Sequence, residues 1–489
     1  MRDMGLAIRS GLRLRADPSR VISRLFIPGQ ELVGGSEART ADAVERVLAL
    51  SEADVAATLD ELYDRFSKRH DDLGQVFERH AQRVDPYVSE PISANRRQLL
   101  GATFTHEYSL EGTSICNPSI VAHPDQENLA AGTLRIIFSY RTIGEGHHSA
   151  VCFRTGAIDS RGELTLDEPH PFPLVASISS DYLHRAVFHA KLQDLGHDNE
   201  NAAAVLDGLT PRFSAVEFEM ALATLTSQSD TRMNVSETVL ALRSIANSFY
   251  VASFDDETDV SQRVLWPTTP GESKGMEDAR FVRFDGDGVT RYLATYTAFD
   301  GHVVTQQLLE TDDFATFVSS PLAGLGATNK GMAIFPRRLG GSFVTLSRHD
   351  RESNAIAYSS DLHHWNDVVT IQVPEKSWEL IQLGNCGSPI ELDEGWLVLT
   401  HGVGPMRTYG IGAILLDLDD PTKVLAQLPL PILLPDSDEQ DGYVPNVVYS
   451  CGSLVHAGTL VVPYGISDQS ISYATVKIAD LMAAFVPVS

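Results

Sequence analysis

The chain has 489 residues, with 38 Lys or Arg against 65 Asp or Glu and a formal net charge of -27. Both duplex nucleic acid and anionic membrane surfaces demand basic patches, so this charge excludes them as main partners; a small anion in a local basic pocket remains compatible. Hydrophobic residues at 43% and charged residues at 21% give a globular composition with enough material for a large core.

The first twenty residues, MRDMGLAIRSGLRLRADPSR, carry arginines but no continuous apolar run, so no secretory leader is expected. No later apolar stretch reaches the length of a membrane span. Residues 41–84 read as helical. Ser51 with Asp54 resembles a capping box, and Val55, Leu59, Leu62, Tyr63 and Phe66 follow at helical spacing. Residues 200–249 read the same way, with helix starts at Ser214 (paired with Glu217) and Ser236, and a stripe of Val239, Leu242, Ala246 and Phe249. Both stripes suit packing against the rest of the protein or against a subunit partner.

The remainder is β-like, and it repeats. Five segments open with a polar residue, run as a short strand, turn at Gly, Asp or Asn and return. They open at Asn117, Glu277, Asn329, Asn385 and Asn446. The last four openings are 52, 56 and 61 residues apart; the first gap is 160 residues and holds the second helical stretch. Units at such a period are the signature of a propeller whose blades are small antiparallel sheets. The expectation is a mainly β chain: residues 1–95 as a largely helical N-terminal extension, and residues 96–489 as a five-bladed β-propeller with a helical insertion at about 200–249. Polar residues at strand starts and returns would then converge on the axis, gathering Asn117, Arg141, Asp278, Lys330, Arg348, His401 and Asp468.

Glu277 and Asp278 are adjacent carboxylates at a strand start. Alternation along a strand sends them to opposite faces, so one faces the axis and the other pairs with Arg280 or a neighbouring blade. The bland reading is a solvated turn. The functional reading is a buried acid with a raised pKa. Lys330, Arg348, His401 and Tyr409 offer two cations, an imidazole and a phenol, a set that suits a phosphate-sized anion. The competing reading makes them surface groups paired with the plentiful acids.

Other signals are weaker. Cys116, Cys152, Cys386 and Cys451 are far apart and form no C-x-x-C pair, which suits reduced, mostly buried thiols in a cytosolic protein. The adjacent pairs His147-His148 and His363-His364 point apart on a strand, and no H-E-x-x-H spacing occurs, so no metal site is expected. Nucleotide-binding glycine loops and a G-x-S-x-G elbow are both missing. Asp417, Asp419 and Asp420 read as connectors.

The segments GMEDARFVRF, NKGMAIFPRR, GNCGSPIE, YGIGAILLDLDDPTKVL and GYVPNVVYSCG resemble the mannoside phosphorylases and mannosidases of glycoside hydrolase family 130, in the right order over about residues 100–480. The resemblance implies a five-bladed propeller. It also implies that Asp278 is the general acid, passing its proton through the 3-hydroxyl of the mannosyl unit, with Glu277 beside it as a sugar-binding group. Phosphate would attack the anomeric carbon from the opposite face and release α-mannose 1-phosphate with inversion. Lys330, Arg348, His401 and Tyr409 would bind the phosphate, with Arg407 a further cation nearby. Asn117, Arg141 and Asp468 would touch the sugar.

The expected function is an inverting phosphorylase of β-mannosides, with β-1,2-linked manno-oligosaccharides as substrates. Inorganic phosphate is its co-substrate, and no cofactor is expected. The alternatives are an inverting β-mannosidase of the same family and a non-catalytic glycan-binding propeller. The helical extension offers a surface for a homodimer.

Overall fold

The computed structural model describes residues 2–28, 36–180, 182–228, 232–286 and 288–488. It is mainly β with some helices. The chain divides into two compact units: residues 17–112 with 170–174, and residues 1–16, 113–169 and 175–489.

Among the described residues the smaller unit holds four α-helices, Ser36–Leu48, Glu52–Phe66, Leu73–Gln82 and Ala94–Thr103. Ser51 caps the second as expected, its side chain accepting from the Asp54 backbone N–H. Val44, Val55, Leu59, Leu99, Leu100 and Phe104 form the core. Strands Val21–Leu25 and Thr105–Ser109 pair antiparallel beside them. The boundary expected at residues 95/96 falls inside the helix Ala94–Thr103.

The larger unit contains five antiparallel meanders. Two belong to one sheet: Ser114–Ala122, Leu134–Ile143, Ser149–Ile158 and Leu164–Leu166, then Gly275–Gly286, Val289–Phe299, Val304–Thr311 and Thr316–Pro321. They join through a parallel pairing at Gly275 and Ser149. The third meander runs from Ala333–Ile334 to Asp367–Gln372, the fourth is built on Gly395–Val403 and Tyr409–Leu416, and the fifth on Thr459–Ile466 and Ser470–Lys477. These match the five repeats in the sequence. Several central strands are buried along their whole length, as in Gly395–Val403, whereas outer strands such as Asp367–Gln372 are exposed or half-buried throughout. Trp365 and Trp396 are fully buried.

Residues 8–9 and 14–15 did not stand out as strands. They pair with Ser470–Lys477, so the chain's start completes the last sheet. Likewise, Val486–Pro487 pairs with the fourth sheet.

The insertion begins earlier than residue 200, with helix Arg185–Leu195, and continues through Glu200–Leu206, Ala215–Thr226 and Val235–Ala246; residues 229–231 lie outside the described ones. Its core is largely aliphatic around an aromatic cluster, in which Phe188 packs against Phe213, Phe218 and Phe249 with ring centroids 5.3 to 5.6 Å apart. The capping box of Ser214 and Glu217 is present. Ser236 is not a cap: Asn234, in a left-handed conformation that Asn tolerates, takes that place. All four cysteines are free and buried. Among the described residues no helix is long and apolar enough to cross a membrane.

Candidate active site

The strands that open the meanders carry a recurring irregularity. In Ser114–Ala122 the register moves from Cys116 opposite Arg141 to Ser119 opposite Ser139, so Asn117 and Pro118 face a single partner residue. In Gly275–Gly286 it moves from Glu277 opposite Thr297 to Arg280 opposite Thr295, so Asp278 and Ala279 do the same. Both are β-bulges, and Asn117 and Asp278 sit in left-handed conformations with φ of 51° and 56°. Ser467 and Asp468 are left-handed too. Short polar side chains such as Asn and Asp accept this backbone more readily than branched ones do.

The bulge overturns one sequence expectation. Strict alternation would separate Glu277 from Asp278, yet both line the same cavity of about 260 Å³. Every residue singled out for catalysis, phosphate or sugar lines it as well: Asn117, Arg141, Lys330, Arg348, His401, Tyr409 and Asp468. They come from all five meanders.

Within the cavity, Glu277 is held from two neighbouring meanders. Arg141 Nη2 donates to its Oε1 at 2.8 Å, and Lys330 Nζ pairs with its Oε2. The repulsion between adjacent carboxylates is thus offset by two cations. Arg280 does not pair with Glu277. It is buried behind the cavity floor, where Nη1 donates to the Asn385 carbonyl and side-chain oxygens at 3.0 and 2.8 Å, and Nη2 to the Tyr449 hydroxyl at 2.7 Å. Tyr449 in turn donates to Asp278 Oδ2 at 3.5 Å, and the Asn117 amide to Oδ1.

The two aspartates are pushed in opposite directions. Burial pushes Asp278 up, but Arg280, Lys330, Arg141 and the Asn117 amide together outweigh it, so its carboxyl lies below the usual range. Asp468 is pushed up to about 6, first by burial and then by Asp278 and Glu277, against the pull of Arg141 and Arg407. Unliganded, the cavity holds its easily kept proton on Asp468 rather than on Asp278.

The basic side is built differently. His401 Nδ1–H donates to the Asn385 carbonyl at 3.0 Å, which turns Nε2 toward Arg348 Nη1 at 3.3 Å. Burial first, then Arg348 and Arg280, push this imidazole well below its ordinary value, so it is neutral. Tyr409 stacks on it with centroids 6.1 Å apart. Arg348 Nε is buried without a hydrogen-bond partner, and Arg407 lies exposed at the mouth. An unpaired buried donor is costly unless a ligand meets it. Among the described residues, no three or more His, Cys, Asp or Glu side chains are grouped to hold a metal ion.

Sequence reasoning missed Tyr449 and Gln382 in the lining of this cavity, and Asn385, which holds Arg280 and His401 from behind it. Asn385 had a signal, since it opens the fourth repeat; Tyr449 ends the short strand Val448–Tyr449 and had none.

A family model described as beta-1,4-mannooligosaccharide phosphorylase matches residues 234–486. The chain is 34% identical over 229 residues to a 1,2-beta-oligomannan phosphorylase of Thermoanaerobacter sp. (strain X514), spanning 45% of this chain and 73% of that one. It is 33% identical over 227 residues to a beta-1,2-mannobiose phosphorylase of Listeria innocua, spanning 45% of this chain and 62% of the relative. A solved structure of beta-1,2-mannobiose phosphorylase from Listeria innocua aligns over 77% of this chain and 92% of that one, with 20% identity and a TM-score of 0.45.

Proposed function

The chain belongs to glycoside hydrolase family 130, and from that premise we propose that it is an inverting β-mannoside phosphorylase acting on β-1,2-linked manno-oligosaccharides, with inorganic phosphate as co-substrate and α-mannose 1-phosphate as product. The five meanders are the blades of a five-bladed propeller; the convergence of residues from all five on one cavity supports that arrangement. The choice of linkage follows the two relatives named for β-1,2 substrates, against a family description that names β-1,4.

The observation that carries the phosphorylase reading is the open cation. Arg348 has a buried, unpartnered Nε beside a neutral imidazole, in the same cavity as Asp278. Its planar fork suits a phosphate oxygen pair. Phosphate needs no general base, being already a nucleophile. One of its oxygens forms a bond to the anomeric carbon while the bond from that carbon to the leaving oxygen breaks. The leaving oxygen takes a proton that originates on Asp278 and is relayed through the mannosyl 3-hydroxyl.

Asp278 must be protonated to do this, and without ligands it is ionised. A phosphate bound at Arg348 brings negative charge into the same cavity, which opposes the pull of Arg280, Lys330 and Arg141 and acts with burial to favour the protonated carboxyl. Substrate binding therefore loads the acid. Asp468, which already keeps a proton to about pH 6, is placed to supply it.

A hydrolase would need a second carboxylate to activate water. Glu277 is committed to Arg141 and Lys330, whereas Asp468, raised to about 6, is the aspartate of greater base strength and the group a hydrolase would have to use. The deciding experiment follows β-1,2-mannobiose with and without inorganic phosphate. The expected result is mannose 1-phosphate, formed only with phosphate. Free mannose at an equal rate without phosphate would make the protein a hydrolase.

A further inference from the structure

The smaller unit carries a cavity of about 280 Å³ that shares no lining residue with the active-site cavity. Its apolar wall follows from helical spacing. Leu62 and Phe66 stand one turn apart on Glu52–Phe66, Leu73 and Phe77 one turn apart on Leu73–Gln82, and Ala102 comes from Ala94–Thr103. The volume lies just under the range of small-molecule sites, roughly 300–1,000 Å³, so it suits a short apolar chain.

The same cavity has a polar wall. Ser23 on Val21–Leu25 and Glu107 on Thr105–Ser109 stand directly opposite each other across the strand pair, so their side chains leave the same face. His70, in the connection between the second and third helices, bridges them. Ser23 Oγ lies 3.1 Å from its Nδ1, and Glu107 Oε1 lies 2.8 Å from its Nε2. All three residues line the cavity. His70 is buried and Ser23 half-buried.

Glu107 is itself fixed. Arg69 Nε donates to its Oε1 at 2.8 Å and Nη2 to its Oε2 at 3.1 Å. Burial pushes Glu107 up, but the bonds from Arg69 and His70 outweigh it, and the carboxyl lies below its ordinary range. An ionised carboxylate only accepts, so His70 Nε2 carries the donated hydrogen and Nδ1 is left to accept from the Ser23 hydroxyl. A hydroxyl, a base and a group that orients the base thus stand in series, with both distances inside the reach of about 2.6–3.2 Å that activates a nucleophile. A histidine serving packing alone needs its two nitrogens satisfied and nothing more. Here the hydroxyl that satisfies Nδ1 also opens on a cavity. Such an arrangement is recognised by geometry rather than by sequence, and Ser23 lies on a plain strand with no G-x-S-x-G elbow around it.

We propose that Ser23 is a nucleophile that takes the acyl group of small carboxylic esters with an apolar acyl chain, with His70 as its general base and Glu107 as the positioning residue. Ser23 Oγ forms a bond to the ester carbonyl carbon while its proton passes to His70 Nδ1. The bond from that carbon to the alkoxy oxygen breaks, and the leaving alcohol takes the proton from His70. Water, deprotonated by the same imidazole, then displaces Ser23 Oγ, which takes the proton back as the acid departs. The apolar wall receives the acyl chain.

The test treats the full chain with p-nitrophenyl butyrate and reads both nitrophenolate release and the mass of the peptide that contains Ser23. Release and a butyryl group on Ser23 are expected. Ser23→Ala should lower release by roughly a hundredfold or more, and His70→Gln by about 10²–10⁴, the range for a positioned general base. Glu107→Gln should lower it roughly tenfold by freeing the imidazole, and Glu107→Asp should recover part of that loss, which a role in folding alone would not give. Circular dichroism checks the fold of each variant; Ser23→Ala removes a single oxygen and decides the matter if His70→Gln does not fold. An unmodified Ser23, a butyryl group on another residue instead, or equal release by wild type and folded Ser23→Ala protein would overturn the proposal. Phosphorolysis plays no part in the readout, so the result is independent of the reading of the active-site cavity.

Discussion

On one side of the active-site cavity, Arg141 and Lys330 are both committed to Glu277. On the other, Arg348 faces a neutral imidazole and has no carboxylate partner among the described residues, although its Nε, like that of Arg141, is buried without a hydrogen bond. The residues are of similar types, yet the two sides dispose of charge in opposite ways. On the acidic side the cations are structural: they hold adjacent carboxylates together and keep Asp278 ionised. On the basic side the charge is unspent. Counting cations by type grouped Lys330 with Arg348 as phosphate ligands; counting by partner separates them. Phosphate is expected to depend chiefly on Arg348, with Lys330 acting through Glu277 and Asp278.

The largest expected effect breaks the acidic side at its centre. Asp278→Asn removes the ionisable group and preserves much of the shape. Turnover should fall by about 10²–10⁴, the range for a general acid. Sugar binding, measured by calorimetry, should change little. A variant with near-normal kcat would transfer the role to Asp468, the other aspartate in the cavity.

A second comparison sharpens the division between the cations. Arg348→Ala should raise the KM for phosphate by roughly ten- to a hundredfold, the equivalent of one charge-assisted hydrogen bond, and leave the KM for the sugar nearly unchanged. Lys330→Ala should affect kcat more than the KM for phosphate, because it frees Glu277 and removes one of the cations that lower Asp278. Equal effects of the two substitutions on the KM for phosphate would erase the distinction between the sides. Steady-state kinetics with each substrate varied in turn decides it.

Much of this was legible in the sequence because propeller-like repeats are regular. A polar residue at each strand start and a turn signal after it located five meanders and seven cavity residues. What was illegible depends on pairing across the sheet. Two bulges set Asn117 and Asp278 in left-handed conformations, and no local pattern distinguishes a bulged strand from an ordinary one. The alternation rule therefore separated Glu277 from Asp278, which the fold brings together. The strands at residues 8–9 and 14–15 are two residues each and acquire their structure only by adding to Ser470–Lys477, more than 450 positions away. Asn234 took the helix start from Ser236 for a similar reason: a left-handed Asn is visible only in the folded backbone.

The smallest effect concerns the second aspartate. Asp468 is raised from the ordinary value to about 6 in the folded chain, so the charged form is disfavoured there. For a carboxyl with a raised folded pKa, the associated stability is fully present below the unfolded value near 4. It is lost as pH rises through about 6. Above that, the folded protein carries a strained buried charge. Asp468→Asn relieves it and should raise stability at pH 8 by roughly 1–3 kcal/mol, since a shift of one unit is worth about 1.4 kcal/mol. The gain should shrink between pH 6 and pH 4 and vanish below. Thermal melts of both proteins across that range measure it. A variant less stable than wild type at pH 8 would mean that Arg141 and Arg407 need the charge of Asp468 more than burial resists it. The proton would then have to reach Asp278 from bound substrate or solvent instead.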